Sequence, residues 1–325
     1  MSAIPSGGAE VAAEVAAATP IRPPQKQRSR FTADTVTGWL FSAPAIILIA
    51  CFIILPFILA FYFSFTNERL LSPPGRETQW IGFDNYARVF NNPRFWTALT
   101  NNITFSIVVV PLQTFFALFL AILVNQKLRG VVVFRTIFFI PITVVMAASA
   151  VIWVVLLNPQ GLINAFFEII TFGNFSPDWL GDPAYAMAGI IMVSIWASVG
   201  FQMVILLAAL QDVPESLYEA ARLDGANNWQ QFRNVTLPGI RNPLLFVLTI
   251  TTILAFRLFD QVWIMPDRPG GPLDATRTLM VDIVDTGLNQ QAVGRGSALS
   301  VIFLFIVLAV TIVQRRLVKQ EGEIK

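Results

Sequence analysis

The chain has 325 residues, 55% of them hydrophobic and 13% charged, with a mean hydropathy of +0.64. A soluble domain carries about 25% charged residues, so the apolar excess must face lipid rather than a larger core. A net charge of +2, no histidine and one cysteine (Cys51) argue against a nucleic-acid partner, an internal disulfide, a zinc cluster and histidine-based acid–base catalysis.

Residues 1–35 differ in kind. Met1 to Pro24 is rich in Ala, Pro and Gly, and the stretch then turns basic with Arg22, Lys26, Arg28 and Arg30. A secretory signal places an apolar run between its charge and its cleavage site. None is present here, so a disordered basic cytoplasmic tail is expected over 1–35.

Six stretches approach the roughly 20 apolar residues that cross a bilayer as a helix. They are about Trp39–Phe65, Ala98–Val124, Thr136–Leu157, Tyr185–Leu210, Pro243–Ile264 and Ser297–Val313. The runs are too long for barrel strands and lack their alternation. The expected fold is therefore an all-α integral membrane protein of six transmembrane helices, with a permease domain over 36–318 and a short cytoplasmic tail over 319–325.

Lys and Arg set the orientation. With the N-terminus inside, inner segments hold fourteen basic residues and outer loops seven. Both termini are expected in the cytoplasm. The longest inner connection is then Gln211–Asn242, between the fourth and fifth spans.

Within it, Asp212 and Glu215 have the spacing of a capping box, and Pro214 suits a first helical turn. A short helix is expected through Leu217, Glu219, Ala220, Ala221 and Leu223, stopped by Gly225. Asn227 and Gln230 repeat the cap spacing. A second short helix follows through Trp229, Phe232 and Val235 and is expected to end before Pro238.

Glu219-Ala220-Ala221, then Gly225, then Val235 and Leu237-Pro238 resembles the EAA loop of ABC importer permeases, with Val where that family usually has Ile. In that family the first short helix is the coupling helix, seated in a cleft of the ATPase subunit. The resemblance implies coupling roles for Tyr218, Glu219, Ala220, Ala221, Asp224, Gly225, Leu237 and Pro238. Glu219 would pair with a basic residue of the ATPase, and the alanines would allow close approach.

Other segments narrow the family. Trp80–Tyr86, Pro93, Phe95-Trp96 and Asn101-Asn102 are similar to the first outer loop of sugar permeases. Asn158–Asn164, Phe259-Asp260, Gly270-Gly271-Pro272, Thr278-Leu279 and Gly294–Ala298 add to this. The resemblance, from Trp39 to Val318, is to the first permease subunit of the glycerol-3-phosphate, multiple-sugar and maltose type. The large outer domain of the maltose protein is missing, and Pro266–Pro269 is more charged and proline-rich than that family suggests. The resemblance implies a second permease subunit, two ATP-binding subunits that bind ATP and Mg, and an extracytoplasmic sugar-binding protein. No cofactor, metal or catalytic residue is expected on this chain, which has no Gly-x4-Gly-Lys-Ser/Thr loop.

Sugars are held by aromatic faces and a few convergent polar groups. Candidates for the pathway are Gln113 on the second span, Trp196, Ser198, Phe201 and Gln202 on the fourth, and Phe256, Arg257 and Asp260 on the fifth. Ser198 and Gln202 are four apart and share a helix face. Arg257 and Asp260 are three apart on one helical face, so they can neutralise each other or serve the pathway. A di- or oligosaccharide is favoured over glycerol-3-phosphate or a glycerophosphodiester, because Arg257 is the one basic candidate. A secondary transporter needs a midplane ion site and repeated halves, and neither is visible.

Overall fold

A computed structural model describes residues 33–71, 75, 77–126 and 129–319. The expected disordered tail lies outside these residues up to residue 32, as does the C-terminal tail from 320. Residues 33–35 already belong to a helix.

The chain divides into two units. The first runs to Pro56. Its described part is α1 (Ala33–Ile49), with Pro44 inside it, followed by a π turn over Ala50–Ile54. The second unit starts at Phe57, within α2 (Leu55–Phe63).

The described residues that follow are mostly helical, with loops between the helices. α3 (Asp84–Phe90) leads to α4 (Pro93–Val124). α5 (Val131–Thr143) and α6 (Met146–Leu156) follow, then α7 (Leu162–Thr171) and α8 (Pro183–Gln211). Three short helices come next: α9 (Glu215–Leu223), α10 (Asn228–Gln231) and α11 (Leu237–Gly239). α12 (Arg241–Phe256), α13 (Asp260–Ile264), α14 (Leu279–Val284) and α15 (Val293–Lys319) complete the order. No strand is present among the described residues, only an isolated bridge between Thr66 and Trp80.

Among the described residues, five helical stretches are long and apolar enough to cross a membrane: Thr37–Phe63, Pro93–Val124, Pro183–Gln211, Arg241–Ile264 and Val293–Arg316. The third apolar stretch is not one straight helix. α5 and α6 meet at 103°, and counting the pair as one span gives six. Pro141 deprives the last turn of α5 of an amide donor, and Val144 and Val145 are extended (ψ 130° and 133°), the backbone that β-branched residues favour.

α4 and α8 form the centre and start alike. Asn92 before Pro93 accepts from the Arg94 N–H, and Asp182 before Pro183 accepts from the Ala184 N–H. An Asx cap with Pro at the first helical position satisfies one orphan amide and removes another. Small residues bring the helices close: Ala117 and Ala121 are fully buried and pack with Met203 and Leu206 of α8. A Cβ at Gly200 would collide with the Phe138 carbonyl, so α5 lies against α8 only because residue 200 has no side chain.

Among the described residues, apolar packing forms three clusters. One joins Phe105, Trp153, Trp179, Ile190 and Val262, and another joins Ala117, Met203, Leu206 and Val247. The third joins Val89, Phe95, Leu279 and Ile302.

Candidate functional site

Two regions gather the residues singled out in the sequence. The first is the connection from α8 to α12. The expected capping box of Asp212 and Glu215 is not formed. α8 continues to Gln211, so Asp212 closes that helix with its N–H on the Ala208 carbonyl, and α9 starts after Pro214 with no side-chain cap. The end of α9 follows the glycine rule. Gly225 has φ 78°, the Ala226 N–H reaches the Ala221 carbonyl at 2.9 Å, and the Gly225 N–H reaches the Arg222 carbonyl at 3.1 Å. These are the two bonds of a Schellman stop. Asn227 and Gln230 form a reciprocal capping box.

The second short helix does not end before Pro238. It runs on through a π turn over Phe232–Thr236 into α11, with the Leu237 N–H on the Phe232 carbonyl. The wider turn shifts the hydrogen-bond register just ahead of a residue that has no amide to donate.

Tyr218 is half-buried, and its hydroxyl is 3.0 Å from the Thr236 hydroxyl, tying α9 to the π turn. Glu219, Ala220, Asp224 and Gly225 are exposed, as are Leu237 and Pro238, while Ala221 is half-buried. Leu217, Leu223 and Trp229 are also exposed, Leu223 at 89%. Glu219 has no ion-pair partner among the described residues. The result is a short two-helix unit, braced from behind, that presents a carboxylate among small and apolar side chains.

The second region is a cavity of about 270 Å³ where α4, α6, α8 and α12 meet. Gln113, Ser198, Arg257 and Asp260 line it together with Ser194, Thr251, Gln261 and Met146. The break between α12 and α13, over Arg257 to Phe259, opens onto this space; Phe259 has φ −140° and ψ −63°. Because the helix is interrupted there, the i to i+3 relation of Arg257 and Asp260 does not apply. No ion pair joins them among the described residues, and both are exposed.

The other pathway candidates lie elsewhere. Phe256 is buried at 3% exposure and Gln202 at 1%, and Gln202 donates to Thr251 instead of lining the cavity. Trp196 packs edge-on against Trp153 at 5.5 Å, and Phe201 is half-buried on α8. Ser194, Thr251 and Gln261 were missed by sequence reasoning. Ser194 could have been found, since it lies one turn before Ser198 on the same face. Gln261 donates to the Ser194 hydroxyl at 3.3 Å.

Beyond α13 a buried ion cluster holds the approach to α14. Arg277 pairs with Asp282, with Asp274 at 3.4 Å and with Asp285 at 3.1 Å. Burial raises the Asp282 carboxyl to about 6, although the Arg277 guanidinium opposes the shift. Burial also acts against the Arg277 charge, but Asp282 and its neighbours outweigh it and hold Arg277 above its ordinary value. Asp285 is pushed up by burial and lies lower overall, because Asn289, Gln290 and Arg277 hydrogen-bond its charged form.

Residues 86–321 match the family model described as binding-protein-dependent transport system inner membrane component. The chain belongs to this family. Among relatives of this permease is "Probable ABC transporter permease protein YurN" of Bacillus subtilis (strain 168), 32% identical over 293 residues, covering 89% of this chain and 98% of that one. "Trehalose/maltose transport system permease protein MalF" of Thermococcus litoralis is 34% identical, covering 85% and 91%. "Lactose transport system permease protein LacF" of Rhizobium radiobacter is 35% identical, covering 76% and 82%. The fold of the permease matches a chain of a bacterial ABC transporter involved in alginate import, with a TM-score of 0.76, 23% identity and coverage of 89% and 98%.

Proposed function

We propose that this permease subunit carries a sugar, a di- or oligosaccharide, across the plasma membrane by alternating access in an ATP-driven importer. The observation that carries the sugar reading is the lining of the cavity. Gln113, Ser194, Ser198, Thr251 and Gln261 offer neutral amide and hydroxyl groups, and Arg257 is accompanied by Asp260. Such a lining suits a neutral polyhydroxylated ligand, which needs both donors and acceptors. Relatives named for lactose and for trehalose/maltose support it. Glycerol-3-phosphate is the second reading, favoured by a relative from Pectobacterium atrosepticum named for that substrate. Its phosphate would call for basic residues in excess, and Arg257 is offset by Asp260.

The chain works with a second permease subunit, two ATPase subunits that bind ATP and Mg, and an extracytoplasmic sugar-binding protein. Its termini and the α8–α12 connection face the cytoplasm. Glu219, on α9, pairs with a basic residue of the ATPase, and Ala220 and Ala221 admit close contact. Tyr218 braces the helix, Asp224 and Gly225 end it, and Leu237 and Pro238 carry the connection back to the membrane. One ATPase state binds this unit better than the other, which biases the side on which the cavity opens.

Uptake by the reconstituted complex tests the sugar reading. Labelled disaccharide should accumulate only with ATP and the binding protein present. Gradient-driven uptake without an ATPase subunit would point to a secondary transporter.

A further inference from the structure

Irregular backbone at membrane depth survives only where it lines a cavity or is satisfied by protein groups. The break between α12 and α13 meets both conditions. Asn102 on α4, fully buried, donates its Nδ2 hydrogen to the Phe256 carbonyl at 3.2 Å. Thr278, also fully buried, donates its hydroxyl to the Leu258 carbonyl at 2.9 Å. Phe256 and Leu258 flank Arg257, so both carbonyls beside the arginine are held by side chains from other elements.

The two clamps are tied to each other. The Asn102 Oδ1 accepts the Leu279 N–H at 2.8 Å, and the Thr278 hydroxyl accepts the Val281 N–H at 3.4 Å as the cap of α14. The neighbouring Asn101 donates to the Asp274 and Arg277 carbonyls at 2.9 and 3.0 Å. Arg277, one residue before Thr278, is the hub of the buried ion cluster. The segment from Asp274 to Leu279 therefore forms a fixed base against which the broken helix is held.

We propose that Asn102 and Thr278 are positioning residues for substrate recognition, fixing the unwound Arg257–Phe259 segment so that Arg257 and Asp260 stay at the cavity. The proposal rests on the reading of that cavity as the sugar pathway. Asn102 and Thr278 do not themselves line it. Their effect on transport passes through backbone geometry, as expected where side chains re-satisfy a broken membrane helix.

The test uses the assembled importer with Thr278→Val, which keeps shape and loses the hydroxyl, and Thr278→Ser, which keeps it. Asn102→Asp keeps the acceptor for Leu279 and loses the donor to Phe256. Hydrogen exchange is followed at the amides of residues 257–261. Uptake KM is measured with whichever of maltose, trehalose and lactose is taken up best. Thr278→Val and Asn102→Asp should speed exchange there at least tenfold and raise KM severalfold with Vmax retained, and Thr278→Ser should restore both. Unchanged exchange in Thr278→Val, or equal loss in the Ser and Val variants, overturns the proposal. So does faster exchange without any change in KM. Arg257→Ala is run in parallel. If it leaves KM unaltered, the cavity reading fails. If it raises KM while Thr278→Val does not, only the positioning role fails.

Discussion

Gln202 on α8 donates its Nε2 hydrogen to the Thr251 hydroxyl on α12 at 2.7 Å, and Thr251 passes its own hydrogen to the Val247 carbonyl at 2.6 Å. Both residues are almost fully buried, at 1% and 2% exposure, and the Gln202 Oε1 has no partner among the described residues. This bond crosses the packing between two candidate spans beside the cavity. An interhelical hydrogen bond in a membrane protein averages about 0.6 kcal/mol. Gln202→Leu removes the donor together with the orphan oxygen, so it should cost about 1 kcal/mol or less. Thr251→Val should cost a similar amount, and the double variant should lose less than the sum. Unfolding of the four species in denaturant or mixed micelles measures this. Full additivity would mean that the two groups are not coupled.

Arg257 and Asp260 both line the cavity without an ion pair between them among the described residues, so separate roles are expected. Each single alanine variant should lower uptake by about tenfold or more, by analogy with the roughly 1–3 kcal/mol cost of leaving a polar group unpaired. The double variant should be worse than either. Recovery of uptake in Arg257→Ala/Asp260→Ala would instead identify a neutralising pair.

Glu219 is exposed and unpaired among the described residues, so replacing it should not disturb this chain. Glu219→Lys should leave thermal stability and membrane insertion unchanged and abolish both ATPase co-purification and uptake. Opposing like charges at an interface cost several kcal/mol. Normal uptake with Lys at 219 would remove the coupling role.

Asp282 predicts a pH dependence with a defined sign. Its carboxyl is raised to about 6 in the fold against 3.8 in the open chain. Between those values the native state holds the proton more tightly than the unfolded state does. The contribution of this group therefore destabilises above about pH 6 and is relieved as pH falls toward 4, by about 3 kcal/mol at most. Asp285 has the opposite sign, and its stabilisation is lost as pH falls below the ordinary carboxylate range. Melting of the purified permease between pH 7 and 4.5 should differ in slope between the native chain and Asp282→Asn, with the variant flatter. Parallel profiles would place the Asp282 pKa in the normal range.

Much of the fold was legible because lipid imposes a simple rule: long apolar runs must be helices. The Gly225 stop and the Asn227–Gln230 cap were legible because they are local. The bend after Pro141 was not expected, since Thr136–Leu157 read as one span, although proline and two valines lie at it. The break after Phe256 had no such signal, since Ala255-Phe256-Arg257-Leu258-Phe259 contains neither Gly nor Pro. It is held by Asn102 and Thr278, which come from distant parts of the chain. For the same reason Arg257 and Asp260 read as helix neighbours, and Thr251 and Gln261 were missed. The Asp212 cap failed because the start of the short helix lies two residues later, with Pro214 at the cap position, which local spacing cannot resolve.

In the proposed function this chain couples an ATPase to sugar passage. The most direct measurement is ATP hydrolysis by the reconstituted complex, with its binding protein loaded in turn from a panel of di- and oligosaccharides, glycerol-3-phosphate and amino acids. At least one sugar should stimulate hydrolysis severalfold, with no stimulation in Glu219→Lys. Stimulation confined to glycerol-3-phosphate or amino acids, or hydrolysis indifferent to every loaded ligand, would contradict that function.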